Sequence, residues 1–335
     1  MIDSHAIEAF NREVMRPVFP NWDVRSAFAI TGGKEMRAGN ISLHNEISNR
    51  NNIGSPYSYN KKHIFVHYTS LQNCIQIVKE KKIRLYSLKN MDDKEEFSLS
   101  SKKAGLVLSE YEDERIKEKI FCFSMSEYNN ELSKNNLSLW RSFGQDGKGI
   151  GIVFSIESEK KKDWFNYTLS KVFYKEKDLD KYSEFFKRYE DFKLKHKLVI
   201  NNFSALLYRY FSFHKNSIYK DEREIRLLYT CNPDTYTEYG RKPLWELNGN
   251  QTLRNYIELD LEWQFDEETR NKLISNNFNP DIQVNPIIRI EKILLGYRLT
   301  NFNFRDLQRV LFQYKNKYKE PFKIDFCGLH EHFNR

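Results

Sequence analysis

Residues 63–87 read HIFVHYTSLQNCIQIVKEKKIRLYS and decide the fold class. They begin with a short apolar run that ends in polar side chains, which is typical of a β-strand. Thr69 or Ser70 can cap a helix, because the apolar residues from Leu71 to Val78 recur at helical spacing. A second short strand closes the stretch at residues 83–87. A strand, a helix and a strand in so short a stretch predict a domain of mixed secondary structure.

The same periodicities predict further elements along the chain. The predicted strands are 120–126, 147–156, 219–229, 256–261, 287–296 and 322–326. The predicted helices are 2–15, 137–143, 304–314 and an amphipathic insertion near 178–215 that a break near Lys197 would divide into a pair. Because the elements do not follow a regular βαβ order, the sequence predicts the α+β class. Residues 1–62 are expected to be an N-terminal extension with a helix and a polar linker, and residues 63–335 the main domain.

Composition limits the classes of protein to consider. The 335 residues include 54 Lys+Arg and 46 Asp+Glu, with 40% hydrophobic residues, so the chain has ample material for a core. No apolar run approaches the roughly 20 residues of a membrane span, and the N-terminus lacks the apolar segment of a signal peptide. The four cysteines lie far apart, which argues against a disulfide scaffold and against a C-x-x-C zinc site. We therefore expect a cytoplasmic protein.

Basic residues crowd the middle of the chain and begin with Lys160, Lys161 and Lys162. A net charge of +8 and a pI near 9.0 permit a polyanion as partner. Two interpretations stay open. These lysines bind nucleic acid, or they form the solvated surface of a helix.

Four groups of polar residues lie at the ends of predicted strands. The first is His67-Tyr68-Thr69, in which His67 could donate a hydrogen bond to a ribose hydroxyl or phosphate. The alternative is structural, with Tyr68 in the core and Thr69 as a helix cap. A fourth group contains Trp140 and the glycines of residues 144–147, which form a tight turn or a ligand loop.

The second and third groups have a spacing of two residues. Ser124 and Ser126 would project from one face of a strand, or mark the frayed end of that strand. Glu222, Glu224 and Arg226 would likewise share one face, either as a catalytic group or as paired charges on an edge strand. The motifs of P-loop proteins, dinucleotide-binding folds, zincins and α/β-hydrolases are absent from the sequence.

Taken in order, these motifs resemble a large bacterial family of domains of unknown function. Its members carry H-Y-T/S after a first strand, an N-D-x-x-E-like loop, F-S-x-S, a Trp before a G-x-G strand, and E-x-E-x-R. The matching residues are His67-Tyr68-Thr69, Asp93 with Glu96, Phe123-Ser124-x-Ser126, Trp140, Gly149-x-Gly151 and Glu222-x-Glu224-x-Arg226. The resemblance covers roughly residues 64–328, although Asp92 stands where the family usually has Asn.

That family in turn resembles the ADP-ribosyltransferases, which carry Arg or His, S-x-S or Tyr, and E-x-E or Glu on three strands. This resemblance implies a split β-sheet core with inserted long helices, and NAD as substrate. It implies that His67 holds the nicotinamide-side ribose and that Glu224 is the catalytic carboxylate, with Glu222 orienting or activating the acceptor. The remaining residues expected to bind NAD are Ser124, Ser126, Tyr68, Thr69, Trp140 and Arg226. The chain departs from known subclasses because it combines His with S-x-S.

The sequence thus leads to an NAD-dependent ADP-ribosyltransferase, acting as a bacterial toxin or anti-phage effector on nucleic acid or protein. An antitoxin protein is a further expected partner. Two alternatives stay open. One is a catalytically silent module of the same fold that binds nucleic acid or a partner, and the other is a nuclease or hydrolase that holds Mg²⁺ with four carboxylates. Those carboxylates are Asp93, Glu96, Glu222 and Glu224.

Overall fold

The structure is a computed structural model that describes residues 8–18, 26–29, 40–44, 57–60, 64–91, 95–103, 105, 109–129, 136–157, 159, 161, 164, 166–196, 199–201, 209–231, 241–247, 251–263, 267, 271, 274–275, 285–299 and 301–329. The α-helices are α1 Leu71–Glu80, α2 Glu95–Lys103, α3 Glu110–Lys117, α4 Leu137–Ser142, α5 Asp180–His196 and α6 Asn301–Lys315. The strands are β1 Ser26–Ala29, β2 Asn40–His44, β3 Ile64–Thr69, β4 Lys82–Ser87, β5 Ile120–Glu127, β6 Ile150–Glu157, β7 Tyr167–Lys171, β8 Val199–Asn201, β9 Glu224–Thr230, β10 Leu244–Leu247, β11 Leu253–Asp260, β12 Ile287–Leu295 and β13 Lys323–Phe326.

Ten of these strands form one mixed sheet. Its main path is β10-β11-β4-β5-β3-β6-β12-β13, while β9 pairs with β5 and β7 pairs with β9. The β12–β13 pair is parallel and the other pairs of this sheet are antiparallel. Strands β1, β2 and β8 form a separate three-stranded sheet. The expected α+β class is confirmed.

The large sheet branches at β5. One edge of β5 pairs with β9 along residues 120–126. The other edge is shared, because Phe121 and Cys122 pair with β4 whereas Ser126 and Glu127 pair with β3. We call the gap between these two pairings the split. It leaves the middle of β5 open toward side chains of β3.

Both faces of the sheet are covered by apolar side chains. Phe123 and Leu227 belong to the main core on one face, which also includes Leu307 of α6. On the opposite face, Leu228 belongs to a second cluster with Phe185 of α5. The central strands are therefore buried on two sides, and any polar side chain on them needs a partner.

Helix α1 begins where the sequence predicts. The Ser70 side chain accepts a hydrogen bond from the backbone N–H of Asn73 at 3.1 Å, so Ser70 rather than Thr69 is the N-cap. Lys81, in the left-handed conformation, ends the helix. Strand β4 begins at the next residue, Lys82, so β3, α1 and β4 form the predicted strand–helix–strand unit.

Parts of the N-terminal 62 residues pack against the main body. The ring of Phe10 lies edge-on to Phe192 of α5, with centroids 5.2 Å apart. Tyr57 and Tyr59 are buried, so the end of the predicted polar linker contributes to the core. The predicted helix at residues 2–15 is present over residues 8–15, and residues 1–7 lie outside the described part.

The long insertion is helical over only part of its predicted length. Helix α5 spans Asp180–His196, as the amphipathic pattern predicts. The prediction of a second helix after the break is wrong at Val199–Asn201, because these residues form strand β8 and pair with β2. Val199 and Ile200 are β-branched and favour a strand, and β2 provides the neighbouring strand with which they pair. Residues 202–208 lie outside the described part.

None of the described helices is both long and apolar enough to cross a membrane.

Candidate active site

His67 lies at the split, where β3 leaves β5. Val66 and Ser126 form the strand pair nearest to the split. Beyond this pair, β3 contacts β5 through a side chain: Nδ1 of His67 lies 2.9 Å from the backbone oxygen of Ser124. The ring also packs against Phe123, with centroids 4.5 Å apart. The imidazole thus joins β3 to the open middle of β5.

This contact fixes the protonation of His67. A carbonyl oxygen can only accept, so Nδ1 carries the proton and donates it to Ser124. Burial lowers the pKa of His67, and the hydrogen bond only partly opposes this effect. The neutral ring therefore presents Nε2 as an acceptor. The expectation that His67 donates to a ribose hydroxyl or phosphate is wrong in this geometry, and Nε2 suits a hydroxyl that donates.

Strands β5 and β9 hold four polar residues in register. Ser124 lies opposite Arg226, and Ser126 lies opposite Glu224. Residues directly opposite in an antiparallel pair share a face, so all four side chains project from one face of the sheet. Strand β5 continues to Glu127, so the alternative of a frayed end is wrong.

Glu224 and Arg226 form a bidentate ion pair. Nε of Arg226 donates to Oε1 of Glu224 at 2.8 Å, and Nη2 donates to Oε2 at 3.0 Å. The remaining Nη1 donates to the backbone oxygen of Ser212 at 2.5 Å. The two side chains are only 7% and 1% exposed, respectively. The ion pair is therefore buried, and every nitrogen of the Arg226 guanidinium donates a hydrogen bond.

The charge on Glu224 is fixed by its neighbours. Burial raises the pKa of this carboxyl, but attraction to Arg226 and Lys215 outweighs burial and lowers it to about 2. The nearby Ser124 hydroxyl lowers the pKa of Glu224 further. Glu224 is therefore ionised at physiological pH.

Glu222 does not lie on the strand. It ends a 3₁₀ turn, Ser217–Glu222, and Arg223 then adopts a left-handed conformation with φ 45° before β9 begins at Glu224. The left-handed residue breaks the two-residue period between the acids. The prediction that Glu222 extends in line with Glu224 and Arg226 is therefore wrong.

Lys215 brings the two acids together again. Its ammonium donates to Oε2 of Glu222 at 2.8 Å and to Oε2 of Glu224 at 3.4 Å. Burial raises the pKa of Glu222, and the hydrogen bond from Lys215 opposes this rise. The backbone oxygen of Glu222 also accepts from the Ser126 hydroxyl at 2.8 Å. We call Lys215, Glu222, Glu224 and Arg226 the charged cluster.

Sequence reasoning missed two residues of this site. Lys215 stands in no motif, and Tyr174 follows β7, a strand that the sequence pattern did not predict. The hydroxyl of Tyr174 accepts from the backbone N–H of Glu224 at 2.9 Å, while the oxygen of Glu224 accepts from the N–H of Val172 at 2.8 Å. The backbone of the acid is thus held on both sides.

Three residues expected to bind NAD make other contacts. Tyr68 and Trp140 are buried and pack edge-on with centroids 4.9 Å apart, in an apolar cluster of their own. The hydroxyl of Thr69 accepts from Nδ2 of Asn73 at 3.2 Å. The structure does not bring these three side chains to the charged cluster.

The glycines near Trp140 are explained by packing. A Cβ on Gly149 would lie 2.5 Å from the backbone oxygen of Thr69. We expect Gly149→Ala to lower the free energy of unfolding by about 1–3 kcal/mol, because β3 would have to move. Urea denaturation measures the effect, and Gly151→Ala is the control because its Cβ would be no closer than 3.3 Å to Val66. Equal effects of the two substitutions would contradict this account.

Within the basic segment, acidic residues offset most of the charge of helix α5. Lys160 and Lys162 lie outside the described residues, and Lys161 donates to Oδ1 of Asn60 at 2.6 Å. Helix α5 carries five Lys or Arg against four Asp or Glu. Arg188, for example, pairs with Glu184. The described part of this segment thus has the character of a solvated, paired helix surface.

The alternative of a magnesium site rests partly on residues outside the described part. Asp93 lies outside it, and the side chain of Glu96 is not described. Among the described residues, no group of three His, Cys, Asp or Glu is placed to hold a metal ion. Glu222 and Glu224 instead share the ammonium of Lys215.

Comparison with known proteins gives one match. Residues 139–227, about a quarter of the chain, match the model of a family described as a protein of unknown function, DUF2971. The matched part contains Trp140 and the whole charged cluster, whereas His67 and Ser124 precede it. No curated protein and no solved structure matches the chain. Over these residues the chain is similar to a domain family whose function is unknown, in agreement with the expected kind of family.

Proposed function

We propose that the protein is an NAD-dependent ADP-ribosyltransferase in which Glu224 is the catalytic carboxylate. One observation supports this proposal above the others. Groups from three strands meet at Ser124 of β5: His67 of β3 donates to its backbone oxygen from the face of the sheet that carries Phe123, and the Ser124 side chain projects on the opposite face with Glu224 of β9. This is the set of three strand positions on which the resemblance to ADP-ribosyltransferases depends.

The chemistry requires a fixed negative charge. When the bond between the ribose carbon and the nicotinamide nitrogen breaks, its electron pair leaves with neutral nicotinamide and positive charge develops on the ribose. An ionised carboxylate held beside that ribose stabilises the charge, especially away from water. The lowered pKa of Glu224 supplies such a carboxylate at every physiological pH. No proton need be given to the leaving group.

Glu222 is suited to the second half of the reaction. An acceptor hydroxyl or amine must lose a proton as it attacks the ribose carbon, and a nearby carboxylate can take that proton. The Glu222 side chain is 17% exposed, more than that of Glu224, and its pKa is raised. It is thus the more accessible and the more basic of the two acids.

His67 gives a test of substrate binding. We expect His67→Ala to weaken NAD binding about tenfold, since Nε2 would accept a ribose hydroxyl in a half-buried site. Isothermal titration calorimetry with NAD measures the change. Thr69→Val is the control, because the Thr69 hydroxyl is already bonded to Asn73. Equal NAD affinity in wild type and His67→Ala would contradict the assigned role.

The acceptor can be found in the same set of assays. Pure protein is incubated with NAD labelled in its adenylate part, together with cell RNA, DNA or protein. Label transferred to one of these classes, and lost with Glu224→Gln, supports the proposal and identifies the acceptor. An enzyme of this kind would act as a toxin or anti-phage effector in a bacterial cell.

A second candidate is a catalytically silent binding module of the same fold. The observation that favours it is the burial of Glu224, which is 6% exposed and fully engaged by Arg226. In that case the pair holds β9 together and no substrate reaches the carboxylate. A folded protein that binds neither NAD nor ADP-ribose would favour this second candidate.

A further inference from the structure

We propose that Lys215 is a positioning residue that holds the Glu222 carboxylate beside Glu224 and keeps it ready to take the acceptor's proton. This inference rests on the proposed function. Lys215 lies outside every motif of the sequence. Its ammonium group is the contact that joins Glu222 to Glu224.

The backbone of Lys215 is anchored independently of its side chain. The N–H of Lys215 donates to the oxygen of Phe173 at 3.0 Å, and the N–H of Phe173 donates to the oxygen of Phe213 at 2.7 Å. These bonds attach the segment to the chain that leaves β7. The backbone that carries the Lys215 ammonium is therefore held in place by hydrogen bonds.

The ammonium has a defined place between the acids. The Lys215 side chain is 12% exposed, and its nitrogen lies 4.6 Å from the ring centroid of Tyr219 as well as within reach of both carboxylates. Two carboxylates this close repel each other unless a cation separates them. Lys215 provides that cation for Glu222, because Arg226 is already committed to Glu224.

The position of Glu222 depends on this contact. The residue ends a short 3₁₀ turn before the left-handed Arg223, and its carboxylate accepts a hydrogen bond from Lys215. Its other charged or titratable neighbours are Glu224, Arg226 and Tyr174. Of these, Glu224 favours the protonated form of Glu222 and Arg226 favours the ionised form, so after loss of Lys215 burial and the repulsion from Glu224 would be opposed by the more weakly acting Arg226.

The test is a carbon NMR titration of the glutamate carboxyls, with the Glu222 signal identified by its loss in Glu222→Gln. We expect Lys215→Met to raise the pKa of Glu222 by about one pH unit or more, because the acid loses its cation. Lys215→Arg should restore the wild-type value in large part. Lys175→Met is the matched control, since Lys175 is exposed and lines the same cleft as Tyr174 and Lys215. If Lys215→Met does not fold, Lys215→Gln takes its place.

The second readout is the pH profile of transfer from NAD. A carboxylate with a raised pKa becomes ionised only at higher pH, so the acid limb of the profile should move upward in Lys215→Met and return in Lys215→Arg. An unchanged Glu222 titration, or a shifted titration with an unshifted pH profile, would overturn the inference. If the wild type shows no NAD turnover while the titration shifts as expected, the proposed function fails and the structural link between Lys215 and Glu222 stands.

Discussion

Glu224→Gln is expected to slow the release of nicotinamide from NAD by about a hundredfold or more, while NAD affinity changes little. Glutamine keeps the shape of the side chain but removes the charge that meets the developing cation. Because this interaction matters mainly in the transition state, the loss should appear in kcat rather than in the dissociation constant. Steady-state kinetics and calorimetry on the same preparation separate the two quantities.

The structure adds a condition to this experiment. Glu224 is paired with Arg226, so the substitution also removes part of a buried ion pair and should lower the melting temperature. Rates must be measured well below the melting temperature of the variant. Glu258→Gln is a control for the loss of an ion-paired glutamate, since Glu258 pairs with Lys82 at 2.6 Å on the pair of strands β4 and β11. A destabilised but fully active Glu224→Gln protein would rule out the catalytic role.

Arg226→Met is expected to lower the free energy of unfolding by about 3–5 kcal/mol, which is the usual cost of removing one partner of a buried ion pair. The substitution leaves the carboxylate of Glu224 buried, with the ammonium of Lys215 as its remaining cationic neighbour. Urea denaturation measures the effect. Arg188→Met is the control, because the exposed pair of Arg188 with Glu184 should contribute less than about 0.5 kcal/mol.

The change of stability with pH tests whether the ion pair of Glu224 with Arg226 stabilises the folded protein. The pKa of Glu224 is lowered from 4.5 to about 2, so its stabilisation is complete above pH 4.5 and is lost as the pH falls toward 2. Arg226→Met should show a smaller loss of stability over that range than the wild type. A wild-type stability that is no more sensitive to acid than the variant would contradict the strength of the pair.

Much of the site could be predicted because it lies on strands with clear patterns. The predicted strands near 63–68 and 120–126 became β3 and β5, and the two-residue period of Ser124 and Ser126 placed both hydroxyls on one face. Glu224 and Arg226 followed the same rule on β9. Local periodicity alone was sufficient for these elements.

The errors arose where the backbone departs from its local pattern. Arg223 is left-handed although it is neither glycine nor asparagine, so the sequence gives no sign at this position that Glu222 lies off the strand. Trp140 and Tyr68 were expected near NAD, yet their rings bury each other. A large aromatic residue next to a polar motif is equally suited to a binding site and to a core, and only the packing decides between them.

The missed residues depend on contacts between distant parts of the chain. Tyr174 and Lys215 reach Glu224 only because the segment around Phe173 pairs with the one around Phe213. No period within either segment carries that information. A single sequence can therefore predict the acids of this site but not the groups that hold them.

The most direct test of the central claim is the release of nicotinamide from NAD labelled in the nicotinamide ring, measured with pure wild-type protein and with Glu224→Gln in parallel. The account predicts steady release by the wild type and release at least about a hundredfold slower by the variant. Equal rates for the two proteins, or no release by a folded wild type supplied with RNA, DNA and protein acceptors, would contradict it.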